Sequence, residues 1–208
     1  MVRVKICGIT TLEEALAAVD CGAHALGFVF AESPRRVDPV QVRRIVRKLP
    51  PFVCKVGVFV NARRDDVFRL AAYCGLDALQ FHGEEGPEYC RGWRWPVIKA
   101  FRVRDRSFIE EITRYRVSAC LLDAFVPGRR GGTGVSFNWQ LAREAGGLGR
   151  IVLAGGLSPA NVEEAIRTVH PFAIDVSSGV ETGGKKDPEK MRALMAAVRR
   201  ADDGIPGL

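Results

Sequence analysis

The sequence predicts an α/β protein folding as a single-domain (βα)8 TIM barrel, and three observations carry that expectation. Eight short apolar runs recur along the 208 residues, and amphipathic stretches with helix start and stop signals lie between them. No linker, low-complexity segment or shift in composition divides the chain. Its length leaves about 26 residues for each strand and the helix after it, which is compact but feasible.

The strands are expected at Val2–Ile6, Ala25–Phe30, Lys55–Phe59, Ala78–Phe81, Val97–Ala100, Ala119–Leu122, Ile151–Ala154 and Ala173–Val176. Most lack polar alternation and are rich in Val, Ile, Leu, Phe and Ala, as in parallel strands buried on both faces. About eight helices should alternate with them. Thr11-Leu12-Glu13-Glu14 reads as a helix start with Thr11 as N-cap, ending near Cys21-Gly22. Pro39 suits the first turn of the second helix, where a missing N–H costs nothing. Ser158-Pro159-Ala160-Asn161 is expected to open the seventh helix, running to about Val169, and Asp187-Pro188-Glu189 the last, running to about Arg200. The tail 201–208, with Gly204 and Pro206, is expected to be loosely held. A dinucleotide-binding open sheet would favour Gly-x-Gly-x-x-Gly after the first strand, and Cys7-Gly8-Ile9-Thr10 does not match.

Composition narrows the function classes. Hydrophobic content of 47% with 26% charged residues is ordinary for a globular chain, and no apolar stretch approaches a membrane span. The net charge of +7 is spread among 24 acids without a basic run, so no nucleic-acid or membrane partner is expected. Part of the excess would serve an anionic small molecule. The six cysteines show no Cys-x-x-Cys spacing and only three histidines are present, which argues against structural zinc. A cytoplasmic protein with reduced thiols is expected, five of them small core residues and Cys7 apart. The N-terminus lacks the pattern of a secretion signal.

In this fold the chemistry sits at the C-terminal ends of the strands. That rule selects Cys7 after the first strand, Arg35 after the second, His82 after the fourth and Asp123 after the sixth. Gly155-Gly156 follows the seventh strand and Ser177-Ser178-Gly179 the eighth. Glycines between a buried strand and a helix start let backbone N–H groups approach an anion, and the two serines would add hydroxyl donors. The loops after strands seven and eight are the recurrent phosphate cradle of the fold, so a phosphorylated small molecule is expected there.

Cys7 is either an inert buried thiol or a proton acceptor whose pKa is lowered by helix N-termini and a nearby cation. Asp123 is either a loop-ordering residue or a carboxyl whose burial makes it a general acid. Lys5 lies two residues before Cys7 and shares its face of the strand, so an inward Cys7 implies an inward Lys5 that needs a partner. Asp175, on the neighbouring eighth strand, is that partner. For His82 a structural hydrogen bond from the ring is the expected role.

Ordered blocks from about residue 2 to 190 extend the argument. They are Lys5-Ile6-Cys7-Gly8-Ile9-Thr10, Gly27-Phe28-Val29-Phe30, Ser33-Pro34-Arg35, Val56-Gly57-Val58-Phe59-Val60-Asn61 and Gln80-Phe81-His82-Gly83. Leu122-Asp123, Gly131-Gly132-Thr133-Gly134, Leu153-Ala154-Gly155-Gly156-Leu157 and Asp175-Val176-Ser177-Ser178-Gly179-Val180-Glu181 complete the set. Together they resemble the phosphoribosylanthranilate isomerases of tryptophan biosynthesis. The resemblance implies an Amadori rearrangement of N-(5-phosphoribosyl)anthranilate to 1-(2-carboxyphenylamino)-1-deoxyribulose 5-phosphate, with no metal or organic cofactor. It also implies Asp123 as general acid, Cys7 as general base, Arg35 on the anthranilate carboxylate, and the two glycine-containing loops on the phosphate. Arg36 stands where the family often carries an aromatic residue, and the Ser-Pro-Arg match favours Arg35. The alternatives are a histidine-pathway isomerase of the same fold, which uses a carboxylate at the position of Cys7, and a non-catalytic phosphosugar-binding barrel. A lyase or aldolase would need a reactive lysine, for which Lys5, Lys55 and Lys99 are the strand candidates. Either a monomer or a homodimer is compatible with the sequence.

Overall fold

The computed structural model describes residues 1–124 and 139–202. Eight parallel strands close into a barrel: β1 (Arg3–Cys7), β2 (Ala25–Val29), β3 (Cys54–Phe59), β4 (Ala78–Phe81), β5 (Val97–Val103), β6 (Ala119–Ala124), β7 (Ile151–Leu153) and β8 (Ala173–Val176). Register pairs Lys5 of β1 with Ala25 on one side and with Asp175 of β8 on the other, which joins the last strand to the first. The described α-helices are α1 (Leu12–Asp20), α2 (Pro39–Val46), α3 (Arg64–Cys74), α4 (Ser107–Thr113), α5 (Trp139–Glu144), α6 (Val162–Val169) and α7 (Pro188–Asp202). A two-residue pair, Glu181–Thr182 with Lys185–Lys186, forms a short antiparallel hairpin after β8.

Local chemistry starts these helices where expected. Thr11 Oγ1 accepts from the Glu14 N–H at 3.2 Å while Glu14 Oε2 accepts from the Thr11 N–H at 3.3 Å, a reciprocal capping box on α1. Asp38 Oδ1 accepts from the Val40 N–H ahead of α2, and Asp187 Oδ1 from the Glu189 N–H ahead of α7. Gly22, with φ of 99°, turns the chain out of α1 in a conformation that glycine adopts at little cost.

Two expectations about helices fail. Helix α6 opens at Val162, not at Ser158, because the Asn161 side chain folds the preceding residues into a turn. Its Oδ1 accepts from the Ser158 N–H at 2.8 Å and its Nδ2 donates to the Gly156 carbonyl at 3.0 Å. Between β4 and β5 the chain forms turns and no α-helix. Tyr89 and Trp93 cover Phe81 there, with ring centroids 5.0 and 5.4 Å away, and Arg64 stacks on Trp93 at 4.1 Å. Glu85 ties this connection together by accepting from the N–H groups of Asn61 and Gly83 and pairing with Lys99 at 3.2 Å. These bonds and rings do what the helix would have done.

Apolar side chains divide into two layers. The larger holds Ile6, Leu26, Phe28, Phe59, Phe81, Leu122 and Leu153 against the inner faces of the helices. The smaller holds Ile98, Ala100, Ala119, Leu121, Val152, Ala154 and Ala173, from the strands and the end of β7 alone, and is the barrel interior. Of the five cysteines expected in the core, Cys74, Cys90 and Cys120 are buried, whereas Cys21 and Cys54 are only partly covered. Helix α7 runs two residues past Arg200: Ala201 is buried and Asp202 accepts from the Val2 N–H at 2.9 Å. Residues 203–208 of the tail lie outside the described residues. No described helix is long and apolar enough to cross a membrane.

Candidate active site

Strand parity decides which side chains reach the barrel mouth. Ala119 and Leu121 of β6 and Ala173 of β8 lie inside, so Asp123 and Asp175 continue the inward rows. On β1 the outward layer takes Val4 and Ile6, which leaves Lys5 and Cys7 facing inward. Gly27 of β2 makes room for them: a Cβ there would come within 2.8 Å of Cys7 Sγ and 3.0 Å of Lys5 Nζ.

Lys5 Nζ lies 2.8 Å from Asp175 Oδ1, with both side chains buried. Burial works against the Lys5 charge, but the charge and hydrogen bond of Asp175 outweigh it and raise the ammonium above its ordinary value. A deprotonated, Schiff-base-forming Lys5 is therefore disfavoured in this resting arrangement. At Cys7 the expected direction is reversed. The residue is only partly covered, yet its surroundings are dense enough that burial pushes the thiol up, and Asp175 adds to that. Lys5 and Lys186 pull it the other way without prevailing. The nearby cations do not offset burial, the largest influence on this thiol, together with the Asp175 charge beside it.

A second charged group flanks Cys7. Arg35 Nε and Nη2 donate to the two oxygens of Glu181 at 2.7 Å each, a bidentate fork. The arginine stem crosses Gly8, where a Cβ would meet Arg35 Cδ at 2.4 Å and where φ is 81°. Lys186 Nζ donates to Glu181 Oε1 at 2.5 Å and to the Ser177 carbonyl at 3.1 Å. Its side chain is 1% exposed. Burial lowers the Lys186 ammonium; burial also opposes the Glu181 charge, but the bonds from Arg35 and Lys186 hold that carboxyl below its usual range. Arg36 is exposed and faces away, lining a separate hollow of about 320 Å³ with Phe30, Val37, Asp38, Pro39 and Leu70.

Asp123 lies inside β6 rather than after it, and His82 follows β4 directly. His82 Nε2 is 3.2 Å from Asp123 Oδ2, and its Nδ1 is 3.1 Å from Gln80 Nε2. Both side chains keep a partly open face, 26% exposed for His82 and 17% for Asp123. The Gly131-Gly132-Thr133-Gly134 block beyond β6 lies outside the described residues.

The loops after β7 and β8 touch. Gly155 and Gly156 have φ of 85° and 65°, a left-handed turn that residues with a Cβ enter at a cost. A Cβ on Gly179 would lie 1.8 Å from the Leu157 carbonyl oxygen, so the two loops approach as closely as a glycine backbone allows. Ser178–Val180 is a single 3-10 turn. Ser177 is not the free hydroxyl donor expected, because its Oγ already donates to the Cys7 carbonyl at 3.0 Å.

One mouth thus gathers the Cys7 thiol, the Asp123 carboxyl, an imidazole and two glycine-lined loops, with three cations, Asp175 and Glu181 around the thiol. Such a site can move protons at a small anionic molecule. Lys186 and Glu181 were not singled out from sequence as site groups. Glu181 closes a quoted motif, but Lys186 sits in Thr182-Gly183-Gly184-Lys185-Lys186, which reads as a solvated turn.

Against known proteins, residues 4–197 match the family model described as N-(5'phosphoribosyl)anthranilate (PRA) isomerase. The chain belongs to this isomerase family. The N-(5'-phosphoribosyl)anthranilate isomerase of Citrifermentans bemidjiense is 57% identical over 202 residues, spanning 96% of this chain and 98% of that one. The phosphoribosyl anthranilate isomerase structure from Thermotoga maritima superposes with a TM-score of 0.90 at 46% identity, covering 96% of this chain and all of the other. A further isomerase structure, in complex with reduced 1-(o-carboxyphenylamino)-1-deoxyribulose 5-phosphate, gives a TM-score of 0.87 at 45% identity with the same coverage. The family's barrel and the strand-end residues described above therefore occur together in one chain.

Proposed function

We propose that this isomerase rearranges N-(5-phosphoribosyl)anthranilate to 1-(2-carboxyphenylamino)-1-deoxyribulose 5-phosphate, the Amadori step of tryptophan biosynthesis. Family membership over residues 4–197 carries the reading, and the inward placement of Cys7 and Asp123 at one barrel mouth supports it. Asp123 gives a proton to the furanose ring oxygen as the C1′–O bond breaks and the anthranilate nitrogen supplies the electron pair of the imine. The Cys7 thiolate then takes the proton from C2′, and the electron pair left behind neutralises the iminium to an enolamine. Protonation at C1′ and loss of the 2′-hydroxyl proton give the ketone, so no hydrogen is gained or lost overall.

Burial raises the Cys7 thiol, so forming its thiolate needs positive charge close by. Lys5 and Lys186 supply part of it, and the iminium formed by ring opening supplies more. Ring opening first and proton abstraction second is the order this favours. The phosphate is assigned to the touching loops at Gly155, Gly156, Ser178 and Gly179, with Ser177 bracing the loop through Cys7. The carboxylate is assigned to the donors that Arg35 keeps beyond its fork with Glu181, which preorganises the guanidinium.

The test is loss of phosphoribosylanthranilate fluorescence on adding purified protein. Wild type turns over, whereas Cys7→Ser and Asp123→Asn each lose about 10²-fold or more in kcat while still binding a reduced product analogue. No turnover by wild type, or near-normal kcat in either variant, overturns the corresponding assignment.

A further inference from the structure

One side chain inside the barrel takes no part in the chemistry above. Gln80 of β4 is 1% exposed and lies in register between Val58 of β3 and Ile98 of β5, both apolar. Its Nε2 is 3.1 Å from His82 Nδ1, and its Oε1 is buried without a hydrogen-bond partner among the described residues. The amide nitrogen can only donate, so Nδ1 must accept. A neutral His82 ring then carries its proton on Nε2, 3.2 Å from Asp123 Oδ2.

The opposite amide orientation is disfavoured by its surroundings. It would set an NH2 group, with two donors, where the unpaired oxygen now stands beside apolar neighbours. An under-satisfied carbonyl is the commoner and milder defect in protein interiors. The unpaired oxygen is therefore the cost of aiming an N–H at the histidine.

We propose that Gln80 is a positioning residue that fixes the Nε2–H tautomer of His82 and so holds Oδ2 of Asp123 as an acceptor. The inference rests on Asp123 being the general acid. With Oδ2 occupied by the histidine N–H, the proton to be transferred is carried on Oδ1. As that proton leaves, the His82 N–H is already in place to stabilise the carboxylate that remains. Gln80 itself touches no substrate.

Long-range proton–nitrogen NMR of the uniformly ¹⁵N-labelled protein at pH 8 reads the tautomer directly. Only three histidines are present, and His82→Asn assigns the signal. The expected result is an unprotonated Nδ1 and a protonated Nε2 in the wild-type protein. A proton on Nδ1, alone or together with Nε2, overturns the proposal, and this measurement needs no Gln80 variant to fold. Gln80→Met removes the donor at similar size and Gln80→Glu replaces it with an acceptor. Both should shift the tautomer and lower kcat about 10-fold with KM within twofold, a split that general loosening of the barrel would not give. Unchanged kcat in both folded variants also overturns it. Failure of the underlying reading looks different: Asp123→Asn would keep turnover while the wild-type tautomer stayed as stated.

Discussion

Gly179→Ala tests whether the touching loops make one binding surface. The Cβ would be placed 1.8 Å from the Leu157 carbonyl oxygen, 2.8 Å from the Leu157 carbonyl carbon and 3.1 Å from Ser158 Cα. All three atoms are backbone, so no side chain can swing aside. A comfortable carbon–oxygen approach is about 3.3 Å, which requires the loops after β7 and β8 to part by about 1.5 Å. Misplacement by about 1 Å at a positioned site can cost two orders of magnitude. A cradle meeting one phosphate from both sides should lose most of that in binding, so KM should rise 10- to 100-fold. Overpacking of this kind costs about 1–3 kcal/mol of stability, leaving the barrel folded. Steady-state fluorescence kinetics supply KM, and thermal unfolding checks the fold. A KM within twofold of wild type would refute the shared-cradle argument. At Gly156 the φ of 65° itself makes any side chain costly.

Other expectations concern the charged group beside Cys7. Because burial raises the thiol, its thiolate should appear only on the alkaline side of an ordinary cysteine's value of about 8.5. Iodoacetamide labelling of Cys7, read by peptide mass spectrometry across pH, should therefore have a midpoint above that value, and a lower midpoint refutes the direction. Lys186→Met removes one partner of a buried pair and should cost about 3 kcal/mol, seen as a fall in melting temperature. Glu181 is held below its unfolded value, so its stabilisation is present above about pH 4.3 and fades as pH falls through the folded value. The stability gap between wild type and Lys186→Met should accordingly be largest above that pH and shrink as pH falls, and a gap independent of pH counts against the pairing. Arg35→Ala should lose about 10²-fold in kcat/KM with Arg36→Ala within threefold; the reverse order would place the carboxylate contact on Arg36.

Much of this was legible in the sequence because buried parallel strands leave an unusual imprint. Runs such as Ile151–Ala154 are apolar on both faces, and eight apolar-rich runs alternating with helical stretches point to the barrel before any contact is known. Strand parity also makes the Lys5–Asp175 pair readable, since an inward lysine on β1 has few places to find a carboxylate. The missing β4–β5 helix was not readable, because Glu85, Tyr89 and Trp93 suit a helix as well as the turn they stabilise. Lys186 was hidden for a different reason: a two-residue hairpin, set by Gly183 and Gly184, carries a polar segment back under the mouth. The direction of the Cys7 shift depends on opposing influences from burial, Asp175, Lys5 and Lys186, and sequence distance does not weigh them.

The missing helix also leaves the outer ring electrically uneven. Each of the seven described helices points its amino end, the positive end of its macrodipole, toward the mouth, but none stands between β4 and β5. The summed field is weaker over His82 and stronger toward the side where β7, β8 and β1 meet. A molecule bearing its densest negative charge at one end experiences a torque on approach, so that end swings toward the glycine loops while the rest trails across the barrel. Orientation can thus begin before any hydrogen bond forms, and added salt should weaken it first.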